Sequence, residues 1–197
     1  MKINFEEKNN KKIKKVIVKI IFWVVEIIAV ILLAFLIVNY TVEKTEMSGN
    51  SMEETLYNND SIIIDKFVYL FKSPKRFDVI VFKQNNKEHS YYNIKRVIAL
   101  PGETILIKDN IIYINGNVVE EAVNVEPMIN FGLAAEEIIL EENEYFVLGD
   151  NRNNSEDSRF ASMGNIVKSN IIGKARLRTK PFNFIDKLNN INKTENK

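Results

Sequence analysis

The sequence predicts a mainly β domain that follows a single membrane-spanning helix. Residues 16–40 form an almost uninterrupted apolar run, whereas the remainder of the chain holds short β-branched runs separated by polar turns. About 20 consecutive apolar residues suffice to cross the hydrocarbon core of a bilayer. With 197 residues, the chain has the size of one domain plus small attachments. We expect a basic segment over 1–15, the helix over 16–40, the β domain over 41–181 and a polar tail over 182–197.

The charges on either side of the apolar run predict its orientation. The first 15 residues contain six lysines and two glutamates, whereas residues 42–46 contain one lysine and two glutamates. Because an excess of lysine marks the cytoplasmic side, we expect the N-terminus in the cytoplasm and the β domain outside the membrane. A cleaved signal peptide would have a shorter apolar core followed by small residues, and residues 37–41 offer no such cleavage site.

One acidic residue, Glu26, interrupts the apolar run. A carboxylate within the hydrocarbon core is costly unless it is protonated or paired, so Glu26 marks either a contact with another helix or a tolerated defect. The alternative of a buried core helix would require a much larger protein to cover a helix that is apolar on all sides.

Short β-branched and aromatic runs predict the strands of the β domain. The clearest turn is the Asn115-Gly116 pair between two β-rich arms, because this dipeptide favours the positive φ angles of a tight hairpin. Pro101-Gly102 predicts a second turn. The predicted strands span residues 61–65, 78–82 and 145–148, and residues 133–140 form either a short helix or a loop.

The composition excludes several kinds of site. The absence of cysteine rules out thiol nucleophiles, disulfides and thiolate metal sites, and the single histidine, His89, rules out a histidine-rich zinc site. A net charge of +1 gives no indication of nucleic acid as a partner. We therefore expect no cofactor, no bound metal and no nucleic-acid partner.

A serine nucleophile needs a base, and Lys95 is the best candidate for the base of Ser51. His89 is a poor candidate because it lies in a polar stretch that predicts a solvated hairpin tip. A lysine can act as a base when burial favours its neutral amine. Within residues 94–100 only Lys95 and Arg96 are polar. Strand alternation places these two side chains on opposite faces, so we expect one to point inward and the other outward.

A polar loop over residues 149–159 follows the third predicted strand. It could be a plain surface loop or a calcium loop, but Arg152 stands where a calcium loop needs an oxygen ligand. Asp157 and Arg159 could instead form an ion pair that fixes the loop. Ser155 could orient a buried amine by hydrogen bonding, which is the support that a lysine base requires.

Taken together, these segments resemble the bacterial type I signal peptidases, in the compact single-anchor form of Gram-positive bacteria. The resemblance covers the anchor and most of the β domain. It implies an antiparallel β domain of the Ser-Lys peptidase type. The matching segments are Ser51-Met52, residues 95–103, residues 149–159 and residues 164–175.

The resemblance also implies roles for individual residues. Ser51 would attack the scissile carbonyl, and Lys95 would take the serine proton and later activate water. The backbone amide of Ser51 would supply part of the oxyanion hole. Because Gly49 has no hydroxyl group, the hole is completed by backbone or by another group. Supporting roles fall to Ser155, which would position the lysine amine, to the pair of Asp157 and Arg159, and to Arg96.

The same resemblance implies the substrates and partners. Signal peptides of exported preproteins would pair with enzyme strands and place small side chains in shallow pockets, one and three residues before the cut. The lipid bilayer and the secretion machinery are the further partners that we expect. The positions that match the pocket walls are Met47, Met52, Leu56 and Ile94, each of which could equally belong to the core.

One position departs from the family pattern, which usually has proline where this chain has Glu54. The loop after Ser51 thereby loses a fixed φ angle and gains a charge. A non-catalytic relative that binds or chaperones exported substrates is therefore the alternative function. The presence of both Ser51 and Lys95 favours the enzyme. Self-cleaving repressors share a related fold, but they are cytoplasmic and contain a DNA-binding part.

Overall fold

The structure, a computed structural model, describes residues 3–84, 92–121, 123 and 125–185, with side chains from residue 14 onward. His89 and the tail beyond residue 185 lie outside the described residues. The chain divides into two units, Met1–Thr41 and Val42–Lys197.

The first unit is a single helix, α1, that runs from Ile3 to Thr41. Its Lys14–Thr41 portion is long and apolar enough to cross a membrane. Side chains of residues 14–40 are exposed throughout, as expected for a helix whose apolar surface faces lipid. The helix begins well before residue 16 because the leading segment is rich in lysine and glutamate, which are good helix formers.

The second unit consists mainly of short strands. In chain order its elements are β1 (Val42–Glu46), β2 (Ser61–Asp65), α2 (Val68–Phe71), β3 (Val79–Lys83), β4 (Tyr92–Ala99), β5 (Thr104–Lys108), β6 (Ile111–Ile114), β7 (Asn117–Val119), a 3-10 turn (Gly132–Ala135), β8 (Ile138–Ile139), β9 (Glu144–Leu148), β10 (Ile166–Val167), a second 3-10 turn (Lys168–Asn170), β11 (Ile171–Thr179) and β12 (Phe182–Phe184).

These strands form two antiparallel sheets. The larger sheet has the order β1-β2-β11-β3-β4-β9-β10, with β12 paired to β11, and the smaller sheet has the order β7-β6-β5-β8. The prediction of a mainly antiparallel β fold after an apolar helix is therefore confirmed.

The site is organised by β4, a central strand of the larger sheet. Lys95 on β4 lies opposite Ile80 on β3, and Arg96 lies opposite Leu148, the last residue of β9. All residues of β4 from Ile94 to Ala99 are buried. Because β9 ends beside Arg96, the polar loop that begins at Gly149 starts next to the lysine-bearing strand.

The structure contains the predicted hairpin turn, and its β domain ends later than predicted. Asn115 and Gly116 have φ angles of +50° and +73°, as a tight hairpin turn between β6 and β7 requires. The 133–140 region contains both a 3-10 turn and the two-residue strand β8. The β domain extends beyond the predicted boundary at residue 181, because β12 pairs with β11 and the following residue, Ile185, is fully buried.

Candidate active site

Ser51 lies in the loop that connects β1 and β2, which we call the serine loop (residues 47–60). Two backbone hydrogen bonds close its base, from Met47 N–H to Asp60 O at 2.8 Å and from Asn59 N–H to Met47 O at 2.9 Å. Gly49, two residues before the serine, has a φ of +82°, a conformation that favours glycine. These features fix the backbone conformation of the serine loop before and after Ser51.

Lys95 reaches Ser51 from the central strand. Its Nζ donates a hydrogen bond to Ser51 Oγ at 2.5 Å, although the two residues are 44 positions apart in the sequence. Lys95 is only 5% exposed, and burial lowers its pKa from 10.5 to about 8. The carboxylates of Asp157, Asp150 and Glu156 oppose this effect because they stabilise the ammonium form. The contact brings a hydroxyl group and a largely desolvated amine within reach for proton transfer.

The polar loop (residues 149–159) is attached to the serine loop by Asn151. The backbone N–H of Asn151 donates to Ser51 O at 3.1 Å. Its side-chain Nδ2 donates to Asn50 O at 3.1 Å and to Glu53 Oε2 at 2.8 Å. These contacts hold the backbone of the serine from the side of the polar loop.

Close packing at Gly149 explains why a glycine begins the polar loop. A Cβ atom at this position would collide with Ser155 Oγ and with the backbone carbonyl of Ser51. Ser155 Oγ is buried and forms no hydrogen bond with any residue that the structure describes. The expected hydrogen bond from Ser155 to the Lys95 amine is therefore not formed in this structure, and the positioning role of Ser155 remains a prediction.

Asp157 and Arg159 form a buried ion pair within the polar loop. Arg159 donates from Nε to Asp157 Oδ1 at 2.8 Å and from Nη2 to Oδ2 at 2.9 Å. The Asp157 carboxylate also accepts a hydrogen bond from Gly149 N–H at 3.1 Å. The pair thus connects the two ends of the loop.

Arg96 is buried as completely as Lys95, so the expectation that one of the two points outward is wrong. Alternation along β4 does send the side chains to different partners, but both faces of the strand are covered by protein. Arg96 donates to Asp150 Oδ1 at 2.8 Å and to Oδ2 at 2.6 Å, and Thr55 Oγ1 donates to the same Oδ2 at 2.6 Å. A buried guanidinium is tolerated here because a carboxylate neutralises it.

The comparisons with known proteins show the family of this chain. The family model described as signal peptidase, peptidase S26, matches residues 20–180. The chain belongs to this family. Signal peptidase I of Leptolyngbya laminosa is 38% identical over 164 residues, which are 80% of this chain and 78% of that protein. Signal peptidase I of Bacillus amyloliquefaciens is 34% identical over 189 residues, which are 92% of this chain and 97% of that protein.

A solved structure is also similar in sequence. The crystal structure of a signal peptidase I from Enterococcus faecalis V583 is 33% identical, covers 52% of this chain and 97% of that chain, and has a TM-score of 0.43. Membership of the signal peptidase family makes the chain a serine endopeptidase.

The four predicted pocket residues lie in the core of this signal peptidase family member. Each is at most 3% exposed, and all belong to one apolar cluster that also contains Ile62 and Ile64. A contact with substrate therefore remains a prediction for them. The four residues are Met47, Met52, Leu56 and Ile94.

Glu54 adopts a conformation that the proline usual in the signal peptidase family could not adopt. Its φ is +81°, whereas the proline ring fixes φ near −65°. The side chain is exposed and borders a polar cavity of about 170 Å³, which is also lined by Glu53, Glu126 and residues 150–152. The serine loop of this chain thus has a positive φ and an additional charge at the position where the resemblance implies a proline.

Several residues that build the site were not predicted from the sequence. Asp150 lies 54 positions from Arg96, and no local spacing connects them. The partner of Arg152 also lies outside the motifs, because Glu121 follows β7 and is 31 positions from Arg152. The only sequence signal was the density of polar residues in the polar loop. The residues missed are Thr55, Glu121, Asp150, Asn151 and Arg152.

Proposed function

We propose that this chain is an active, membrane-anchored signal peptidase that removes signal peptides from exported preproteins with Ser51 as nucleophile and Lys95 as general base. The observation that carries the proposal is the hydrogen bond between Lys95 Nζ and Ser51 Oγ in a buried setting. With a pKa near 8, a substantial fraction of the lysine is neutral at slightly alkaline pH and can accept the serine proton.

The arrangement supports acyl transfer in two steps. Lys95 Nζ takes the proton from Ser51 Oγ as the oxygen attacks the scissile carbonyl, and the carbonyl oxygen becomes an oxyanion facing the Ser51 amide. The ammonium then gives its proton to the leaving amine, which departs as the peptide C–N bond breaks. Lys95, neutral again, takes a proton from water as the water oxygen attacks the serine ester. The ester C–Oγ bond then breaks, the Lys95 ammonium returns its proton to Ser51 Oγ, and the carboxylic acid product leaves.

The anchor and the site together support the proposed location and substrates. A helix that can cross a membrane is followed directly by β1, and the lysine excess on its leading side favours a cytoplasmic N-terminus. The catalytic unit would then lie on the outer face of the bilayer, where signal peptides emerge from the secretion machinery. Cleavage after small residues is part of this proposal because the relatives are signal peptidases.

The test is cleavage of a purified preprotein by the detergent-solubilised full chain. Wild type should release the mature protein with a cut after a small residue, whereas Ser51→Ala and Lys95→Ala should lose activity by about 10³-fold or more. Ser48→Ala and Lys108→Ala are the matched controls, because both residues are exposed and lie outside these contacts. Activity retained in either dyad variant would overturn the dyad assignment.

The positive φ of Glu54 favours a second candidate function, in which the chain binds exported substrates without cutting them. A folded wild type that binds several preproteins and cleaves none of them would establish this alternative. The same cleavage assay therefore decides between the two functions.

A further inference from the structure

Glu121 lies outside both loops of the site yet makes a charged contact with the polar loop. It follows β7 by two residues and accepts hydrogen bonds from Arg152 Nη1 at 2.7 Å and from Nη2 at 2.5 Å. We propose that Glu121 is a positioning residue for the cleavage reaction, acting through Arg152 on the backbone that holds Ser51. This inference rests on the proposed function of the Ser51 and Lys95 dyad.

Arg152 transmits the contact to the start of the polar loop. While its two terminal nitrogens bind Glu121, its Nε donates to the Gly149 carbonyl at 3.0 Å. Gly149 packs against the Ser51 carbonyl, and Asn151 donates to that same carbonyl at 3.1 Å. A single guanidinium plane therefore connects Glu121 to the segment that fixes the backbone of the nucleophile.

Burial makes the position of Arg152 depend on the carboxylate. The Arg152 side chain is fully buried and that of Glu121 is 12% exposed. A bidentate carboxylate satisfies the planar fork of an arginine in one orientation. Without it, the buried guanidinium would lose its directly bound counterion, which is strongly unfavourable. The polar loop would then rearrange to expose Arg152, and its hold on Gly149 and Ser51 would change.

Residues 127–133, which follow Glu121 in the chain, make further contacts with the polar loop. Asn153 Nδ2 donates to Pro127 O at 3.0 Å and its Oδ1 accepts from Ile129 N–H at 2.9 Å, but these are neutral, exposed hydrogen bonds. Exposed neutral contacts contribute less than buried charge-assisted ones. Arg159 Nη1 also donates to Asn130 O at 2.9 Å and Leu133 N–H donates to Arg159 O at 2.8 Å, but these contacts hold the far end of the polar loop. Glu121 instead holds, through Arg152, the end that carries Gly149 and Asn151.

The expected effect is geometric and not a change in the titration of Lys95. The carboxylates that act on the Lys95 pKa are those of Asp157, Asp150 and Glu156, and Glu121 is not one of them. Loss of the Glu121 carboxylate should therefore lower the rate of the chemical step without moving the pH at which activity appears.

The experiment compares Glu121→Gln and Glu121→Ala with Glu120→Gln and Glu120→Ala, using the full chain in detergent. Glu120 is the adjacent, exposed glutamate and serves as the matched control. For both Glu121 variants we expect kcat to fall by roughly 10- to 100-fold, the loss expected from a misplacement of about 1 Å. KM should stay within about twofold of wild type, and the acid limb of the pH profile should not move.

Three results would overturn the inference. The first is a kcat in the Glu121 variants that stays close to that of the Glu120 variants, and the second is a change confined to KM or to the acid limb. The third is simultaneous loss of fold and activity in both Glu121 variants by circular dichroism and melting, which would assign the pair a purely structural role. Wild type and Ser51→Ala are measured in the same assay. An inactive wild type, or a Ser51→Ala variant that is as active as wild type, would mean that the dyad assignment fails. If the dyad assignment holds, the result for the Glu121 variants bears on this inference alone.

Discussion

Lys95 is the residue on whose environment the proposed mechanism depends. A lysine in water is almost entirely protonated at neutral pH and cannot act as a base. Here the side chain lies within a central strand of the larger sheet, in contact with Ser51 Oγ, and burial lowers its pKa to about 8. Burial thus raises the fraction of neutral amine near neutral pH, and in the proposed mechanism this amine takes the place of a histidine imidazole.

The pH dependence of cleavage follows from this pKa. Below about pH 8 Lys95 is mainly the ammonium and cannot accept the serine proton, so kcat/KM should fall about tenfold for each further pH unit of acidification. Above the pKa the rate should level off. Initial rates of preprotein cleavage from about pH 6 to about pH 10 measure the profile, and Lys108→Ala should reproduce it. A constant rate across this range would contradict lysine as the base.

Among the elements of the second unit, the serine loop holds an unusual backbone conformation close to Ser51. Glu54 holds a φ of +81° three residues after the nucleophile. Non-glycine residues occupy this region at a cost, and proline cannot occupy it at all. Glu54→Pro should therefore lower both the stability and the cleavage activity of this chain.

Two substitutions at one position test that conformation. Glu54→Gly should keep or raise the melting temperature, because glycine adopts positive φ without steric cost. Glu54→Pro should destabilise the chain by more than about 1 kcal/mol and reduce cleavage, because the loop must move. Thermal melting and cleavage assays measure both effects. A proline variant with wild-type stability and activity would contradict the positive φ.

The sequence predicted local elements better than long-range partners. The strand at residues 61–65 and the Asn115-Gly116 turn depend on neighbouring residues, so their patterns can be read directly. The position of β11 between β2 and β3 depends on non-local pairing, and β8, β10 and β12 are too short to give a periodic signal. Burial of Arg96 could not be predicted because its counterion, Asp150, lies 54 residues away.

In the whole molecule, the proposal gives the first unit the role of membrane anchor and the second unit the role of catalytic domain. The first unit carries the helix that can cross a bilayer, and the second carries the site. The lysine-rich leading segment predicts a cytoplasmic N-terminus. Signal peptides and the catalytic unit would meet on the outer face.

The absence of natural cysteines makes this topology directly measurable. Single-cysteine variants Lys8→Cys and Lys108→Cys can be expressed in intact protoplasts and treated with a membrane-impermeant maleimide. The Lys108→Cys variant should be labelled at once, and the Lys8→Cys variant only after permeabilisation. Immediate labelling of Lys8→Cys, with labelling of Lys108→Cys only after permeabilisation, would contradict a cytoplasmic N-terminus.

Chemical restoration of the base is a decisive test of the Ser51 and Lys95 dyad. In Lys95→Cys the introduced thiol is the only one in the chain, so 2-bromoethylamine can convert it selectively into an amine of nearly lysine length. Mass spectrometry confirms the modification, and preprotein cleavage is measured before and after it. We predict an inactive variant that regains activity on modification, whereas Lys95→Cys combined with Ser51→Ala stays inactive. Activity before modification, or no recovery in a folded and fully modified protein, would contradict the account.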